Sequence, residues 1–218
     1  MMRLIVYDLD GTLVDTLDDI TASANRMLEH LGLPPVPASE VRGYVGRGIQ
    51  ELVQRCLGTE DERLLERGLR LYREDYGRHL LDHSRLYPGA RETLEHFKRL
   101  GRPQAVITNK PDPYSAQILA GLGAAGYFTA VIAGDAAYPK KPDPASLRAL
   151  MERHGAAPAD TVFIGDSPVD VETGRRAGVL TVAVTHGLAD ARELAAAAPD
   201  ATVGGFAELV ALSAARCW

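Results

Sequence analysis

"LIVYDLDGTLVD", residues 4–15, runs four apolar residues straight into an acidic stretch with a Gly-Thr pair at its middle. Such a run, ending at acids and glycine, is the pattern of a short strand buried on both faces. Asp8, Asp10 and Asp15 crowd negative charge just beyond it. A folded chain keeps such a cluster only where something positive balances it.

Similar apolar runs recur at residues 104–108, 130–133, 161–164 and 180–184, with a weaker one at 201–203. Helix-like segments lie between them at 89–100, 114–122, 145–154 and 169–177. Gly101, Gly123, Gly155 and Gly178 follow these segments, where a glycine stop is expected. Strands alternating with helices predict an α/β fold with a parallel sheet and helices on both faces, with ligands beyond the carboxyl ends of the strands. One region breaks the alternation. Between residues 17 and 85 no strand pattern is evident, but helical patterns run over 18–31, 49–57 and 60–81. The loop "LGLPPVPAS", residues 31–39, carries prolines that forbid one continuous helix. The expected organisation is a core of residues 1–15 and 86–218 with a helical cap domain, 16–85, inserted after the first strand.

Composition narrows the classes. With 218 residues, 46% hydrophobic and 24% charged, the chain has the balance of a soluble globular protein with a real core. A net charge of −5 and the lack of a basic block disfavour nucleic-acid binding. Any anionic substrate then needs local positive charge or a metal. Cys56 and Cys217 make no ligand spacing, and a reducing compartment is the expectation. The apolar stretch after Arg3 is too short for a signal peptide and no run approaches membrane-spanning length, so a cytoplasmic chain without membrane contact is expected.

The motifs carry a resemblance. "DLDGTLVD" (residues 8–15 with the preceding strand), "ITN" at 107–109, "KKPDP" at 140–144 and "GDSPVD" at 165–170 fall in one order, each at the end of an expected strand or just beyond it. Together they resemble the four signature motifs of haloacid dehalogenase-like phosphohydrolases, over residues 1 to about 187. The resemblance implies a Rossmann-like core with a cap. It also implies Mg²⁺-dependent phosphomonoester hydrolysis through an aspartyl-phosphate.

Elementary chemistry agrees. A carboxylate can attack phosphorus as a nucleophile, and a hard cation held by oxygens neutralises two anions brought together. Residues two apart on an extended chain point to one side, so Asp8 and Asp10 can face one phosphate. Asp8 is assigned as nucleophile and metal ligand. As the family implies, Asp10 becomes the acid and base, with its backbone carbonyl on the metal. Asp166 would complete the metal site. Asp170 is expected either to orient a metal-bound water or to serve the helix start. Thr108 and Asn109 are expected near the phosphate oxygens. Lys141, directly before proline, should balance the charge on phosphate and Asp8, with Lys140 exposed. Asp15 is expected to anchor the hinge.

In the insertion, "GYVGRGIQEL" at 43–52 resembles a substrate-specificity loop, where Arg47 could reach the non-reacting end of the substrate. His186 has no evident partner. Among subfamilies, "TNKP", "KKPDP", "GDSPVDVETGRRAG" and "VGRG" most resemble bacterial phosphoglycolate phosphatases. The resemblance implies a small phosphorylated metabolite as substrate and a monomer or homodimer. A pyrophosphatase or another small-phosphate phosphatase shares the same core motifs and stays open. A β-phosphoglucomutase-like mutase and a catalytically silent phosphate-binding protein are further alternatives.

Overall fold

The computed structural model describes residues 2–216 and 218. Strand β1, Leu4–Tyr7, is buried along its whole length, as its unbroken apolar run requires. It lies at the centre of a parallel sheet with β4 (Gln104–Ile107) on one side and β6 (Thr161–Gly165) on the other. Strands β5 (Ala130–Ile132), β7 (Leu180–Val184) and β8 (Ala201–Val203) complete the order β5-β4-β1-β6-β7-β8. The chain builds outward from β1 to β5, then returns past β1 to lay down β6 to β8. Strand order therefore reverses at β1, and its carboxyl end is where an open α/β sheet offers a binding crevice.

Alternate residues of β1 feed opposite layers, following the period of two of an extended chain. Ile5 and Tyr7 pack with Leu94 and Phe97 of α5 (Ala90–Arg99) and with Phe206 and Leu209 of α10 (Phe206–Ala215). Leu4 and Val6 pack with Leu147 and Leu150 of α7 (Ala145–His154). Helices α6 (Tyr114–Gly121), α8 (Pro168–Ala177) and α9 (Ala191–Ala196) fill out the layers. The expected α/β class, with a parallel sheet and helices on both faces, is what folds.

After β1 the chain makes a short antiparallel ladder, β2 (Val14–Asp15) with β3 (Arg85–Leu86). Between these two strands lie α1 (Leu17–His30), α2 (Ala38–Arg42), α3 (Ile49–Leu57) and α4 (Glu62–His79). Helix α1 buries Ile20, Ala24, Met27 and Leu28, one stripe at helical spacing, and packs mainly against α4. The α4 start is fixed by Asp61, whose carboxylate accepts from the Arg63 and Leu64 N–H groups. Its Tyr72 and Tyr76 rings stack 5.4 Å apart.

Five of these elements were not anticipated. Helix α2 has five residues, too few for a periodic signal, and begins inside the proline-rich loop. The β2–β3 ladder has two residues per strand. Helices α9 and α10 are alanine-rich, and their sequences show little contrast between faces. Cys56 is buried and unbridged, while Cys217 lies outside the described residues. Among the described residues, no helix is long and apolar enough to cross a membrane.

Candidate active site

Registers Tyr7↔Val106 and Tyr7↔Ile164 level the carboxyl ends of β1, β4 and β6. Asp8, Thr108 and Asp166 leave the sheet at that common edge. The Asp8 N–H donates to the Ile164 carbonyl at 2.9 Å, so the chain is still pinned to the sheet as it delivers this side chain.

Asp8, Asp166 and Asp170 are all buried and can bring carboxylate oxygens within 4.8 Å of one another. Lys141, also buried, reaches Asp8 Oδ1 at 2.8 Å and Asp170 Oδ1 at 2.7 Å through its Nζ. Burial works against the Lys141 ammonium, but Asp170 and Asp8 more than compensate and hold its pKa above the ordinary value. Asp8 also accepts from the Leu9 N–H at 2.7 Å. Asp166 accepts from the Thr12 hydroxyl and the Leu188 N–H, each at 2.7 Å. Burial, with Asp170 and Asp166 nearby, pushes Asp8 up to about 8 against the pull of Lys141. Burial and Asp170 push Asp166 up to about 7.

Three carboxylates against one ammonium leave an uncompensated charge near −2 when all are ionised. The donors are all oxygens. A hard divalent cation fits both the charge and the donor set. Asp8 and Asp166 are the better placed ligands. Asp170 is the most heavily committed of the three: its Oδ1 is ion-paired with Lys141 and its Oδ2 accepts from both the Ser167 N–H and hydroxyl in a capping box at the start of α8, whereas Asp166 accepts one hydrogen bond on each oxygen and Asp8 takes its contacts on Oδ1. It serves the helix start and steadies Lys141.

Asp10 faces a different environment. Its carboxylate accepts from the Thr16 hydroxyl at 2.7 Å and pairs with Lys110 Nζ at 2.8 and 3.1 Å. Lys110 was not singled out from the sequence. Its only signal there is a lysine two residues beyond Thr108. Thr108 is buried, with its hydroxyl accepting from the Lys110 N–H at 3.1 Å.

Asn109 departs from expectation. Its amide nitrogen donates to the carbonyls of Gly46 and Lys141, and its oxygen accepts from the Lys141 N–H. Both of its side-chain N–H groups thus go into clamping the Gly46 and Lys141 segments, which leaves the side-chain amide no donor for a phosphate. Arg47 is 61% exposed at the mouth of the cleft, 3.7 Å from Glu51. Lys140 is exposed, as expected.

His186 proves structural. Its Nε2–H donates to the Thr12 carbonyl at 3.0 Å, and its ring lies 4.2 Å from that of Tyr87. It therefore steadies Thr12, which holds Asp166. Asp15 pairs with Arg85 at 2.8 Å across the β2–β3 ladder. Arg42 of α2 donates to the carbonyls of Gly187 and Leu188, at 2.5 and 2.7 Å, stitching the helical insertion to the loop whose N–H holds Asp166.

The family described as haloacid dehalogenase-like hydrolase matches residues 5–184. A phosphoglycolate phosphatase of Chromobacterium violaceum is 38% identical over 213 residues, covering 95% of each chain. One from Neisseria meningitidis is 40% identical over 216 residues, covering 95% of this chain and 92% of the relative. A crystal structure described as a predicted phosphoglycolate phosphatase from Haemophilus somnus superposes with a TM-score of 0.93 at 32% identity. That match covers 97% of this chain and 98% of the other.

Proposed function

The chain belongs to the haloacid dehalogenase-like hydrolases, and we propose that within them it is a Mg²⁺-dependent phosphatase acting on 2-phosphoglycolate. One observation carries the chemistry: buried Asp8, Asp166 and Asp170 cluster around one ammonium, Lys141, which pairs with Asp8 and Asp170, while Asp10 stands apart with its own lysine. The relatives' names supply the substrate.

Mg²⁺, held by Asp8, Asp166 and the Asp10 carbonyl, would neutralise and orient the phosphate oxygens. Asp8 attacks phosphorus and the ester oxygen leaves, taking its proton from Asp10. Asp10 then removes a proton from water, which attacks the aspartyl-phosphate. The P–O bond to Asp8 breaks, which restores the carboxylate and releases inorganic phosphate. Lys141 offsets charge on Asp8 and the phosphate throughout. Thr108, buried at the end of β4, offers a hydroxyl to the phosphate. Arg47 lies at the mouth, where it can guide anions inward. Helices α1–α4 act as a cap that keeps bulk water from the intermediate.

A Mg²⁺-dependent phosphate-release screen over small phosphate esters and pyrophosphate tests this function. Phosphoglycolate should be hydrolysed with the highest kcat/KM. Asp8→Asn should lose about 1000-fold or more in kcat with unchanged circular dichroism. Pyrophosphate as the preferred substrate would sink the assignment, and an active Asp8→Asn variant would sink the mechanism.

A further inference from the structure

One buried cation beside the reacting groups has no task in that scheme. Lys110 is 7% exposed, its Nζ 2.8 Å from Asp10 and 4.7 Å from the centroid of the Tyr76 ring on α4. It lines a pocket that also contains Asp8, Asp10 and Thr108, and it is the only cationic side chain among the described residues of that lining. The rest of the wall is largely apolar, with Ile20, Leu52, Tyr72 and Tyr114. Tyr76 also lines it. Its hydroxyl is buried and has no hydrogen-bond partner among the described residues. A buried hydroxyl without a partner is costly, and an acceptor brought by a ligand would satisfy it.

We propose that Lys110 is the specificity residue that recognises a carboxylate on the substrate, and that the enzyme thereby selects phosphate esters of short hydroxycarboxylic acids. The inference rests on the assignment of Asp8 as nucleophile and Asp10 as proton donor. If Asp10 protonates the leaving oxygen, that oxygen lies within hydrogen-bond reach of the Asp10 carboxyl. Lys110 Nζ touches the same carboxyl. A group two bonds beyond the leaving oxygen therefore falls within its range. An ammonium has three donors, and one bifurcated contact to Asp10 leaves capacity for a second carboxylate.

The charge balance sets the chemical class. With Asp10 protonated for its role as acid, the single charge of Lys110 matches a monoanion, whereas a second phosphate would bring more negative charge into an apolar wall than it can offset. The carbon between phosphate and carboxylate would meet that wall. Arg47, exposed at the mouth beside Glu51, lies outside the lining of this pocket.

The test compares phosphoglycolate with ethyl phosphate, which has a tail of similar size but no charge, in the wild type and in Lys110→Met. Lys110→Gln serves if the methionine variant does not fold. Losses common to both substrates report support of Asp10. The ratio of the two kcat/KM values isolates recognition of the carboxylate. The wild type should favour phosphoglycolate, and the variant should lose about 100-fold of that preference, mainly through KM.

If the variant keeps the preference, Lys110 is not the reader, and phosphoglycolate hydrolysis stands. If the wild type instead prefers another phosphorylated hydroxy acid, such as phospholactate, and the variant loses that preference, the Lys110 proposal holds and the phosphoglycolate assignment falls. A wild type indifferent to the carboxylate overturns both.

Discussion

Asp8 and Asp10 stand two residues apart at one strand end, yet they meet opposite surroundings. Asp8 is buried beside two other carboxylates and shares Lys141. Asp10 is held by Thr16 and Lys110. The spacing was legible because a strand alternates with a fixed period. The lysine on Asp10 was not, because a lysine after a turn reads as solvated until the fold places helices over it. Asn109 went the other way: "TN" at a strand end does not reveal that its amide is consumed by two backbone segments.

The crowding has a consequence for pH. Asp8 and Asp166 titrate at about 8 and about 7 in the folded chain, raised from 3.8 mainly by burial. Folded protein thus keeps protons that unfolded chain releases near 3.8. Their contribution to stability is fully present below that pH and is lost as pH rises through 7 to 8. A divalent cation binds the deprotonated folded form and reverses the loss. The rise in Tm caused by Mg²⁺ over chelator should therefore be small at about pH 5.5 and widen by about pH 8.5. A Tm difference that stays constant across that range would contradict the assignment of these two acids as metal ligands.

At the scale of elements, helices α1, α3 and α4 were readable from apolar stripes, and the prolines at 34, 35 and 37 correctly kept α1 and α3 apart. What joins the insertion to the core was hidden, because it depends on side chains meeting backbone far away in sequence. Asp19, fully buried in the first turn of α1, accepts from the His83 and Ser84 N–H groups and the Ser84 hydroxyl. It ties the first turn of the insertion to its last residues. In the sequence it looked like one more acid at a helix start. Asp19→Ala should leave these donors unpaired and lower unfolding stability by about 2–4 kcal/mol in urea titration. A cost under about 0.5 kcal/mol, as for an ordinary surface site, would refute this role.

Across the whole molecule, three separate contacts hold the helical insertion down on the sheet edge: Arg42 to the 187–188 loop, Asn109 to Gly46, and Lys110 under Tyr76. The pocket beneath is closed in by apolar side chains and suits a short tail. Hexose 6-phosphates should therefore be hydrolysed with kcat/KM at least about 100-fold below phosphoglycolate, measured by phosphate release. Comparable values would show that the insertion does not limit substrate size.

The parallel sheet with helices on both faces followed from strands alternating with helices. The slot that holds Asp166 did not, since Gly11 and Gly187 only become its walls once the chain is folded. A Cβ at Gly11 would lie 2.3 Å from Asp166 Oδ2, and one at Gly187 would lie 2.2 Å from Asp166 Cβ. A methyl group at either glycine would therefore press on the Asp166 side chain while changing no acid or lysine of the site. A duplicated gene drifting out of use can lose either glycine while every acid and lysine of the site is still spelled correctly. A methyl group would then silence such a copy as surely as a missing aspartate.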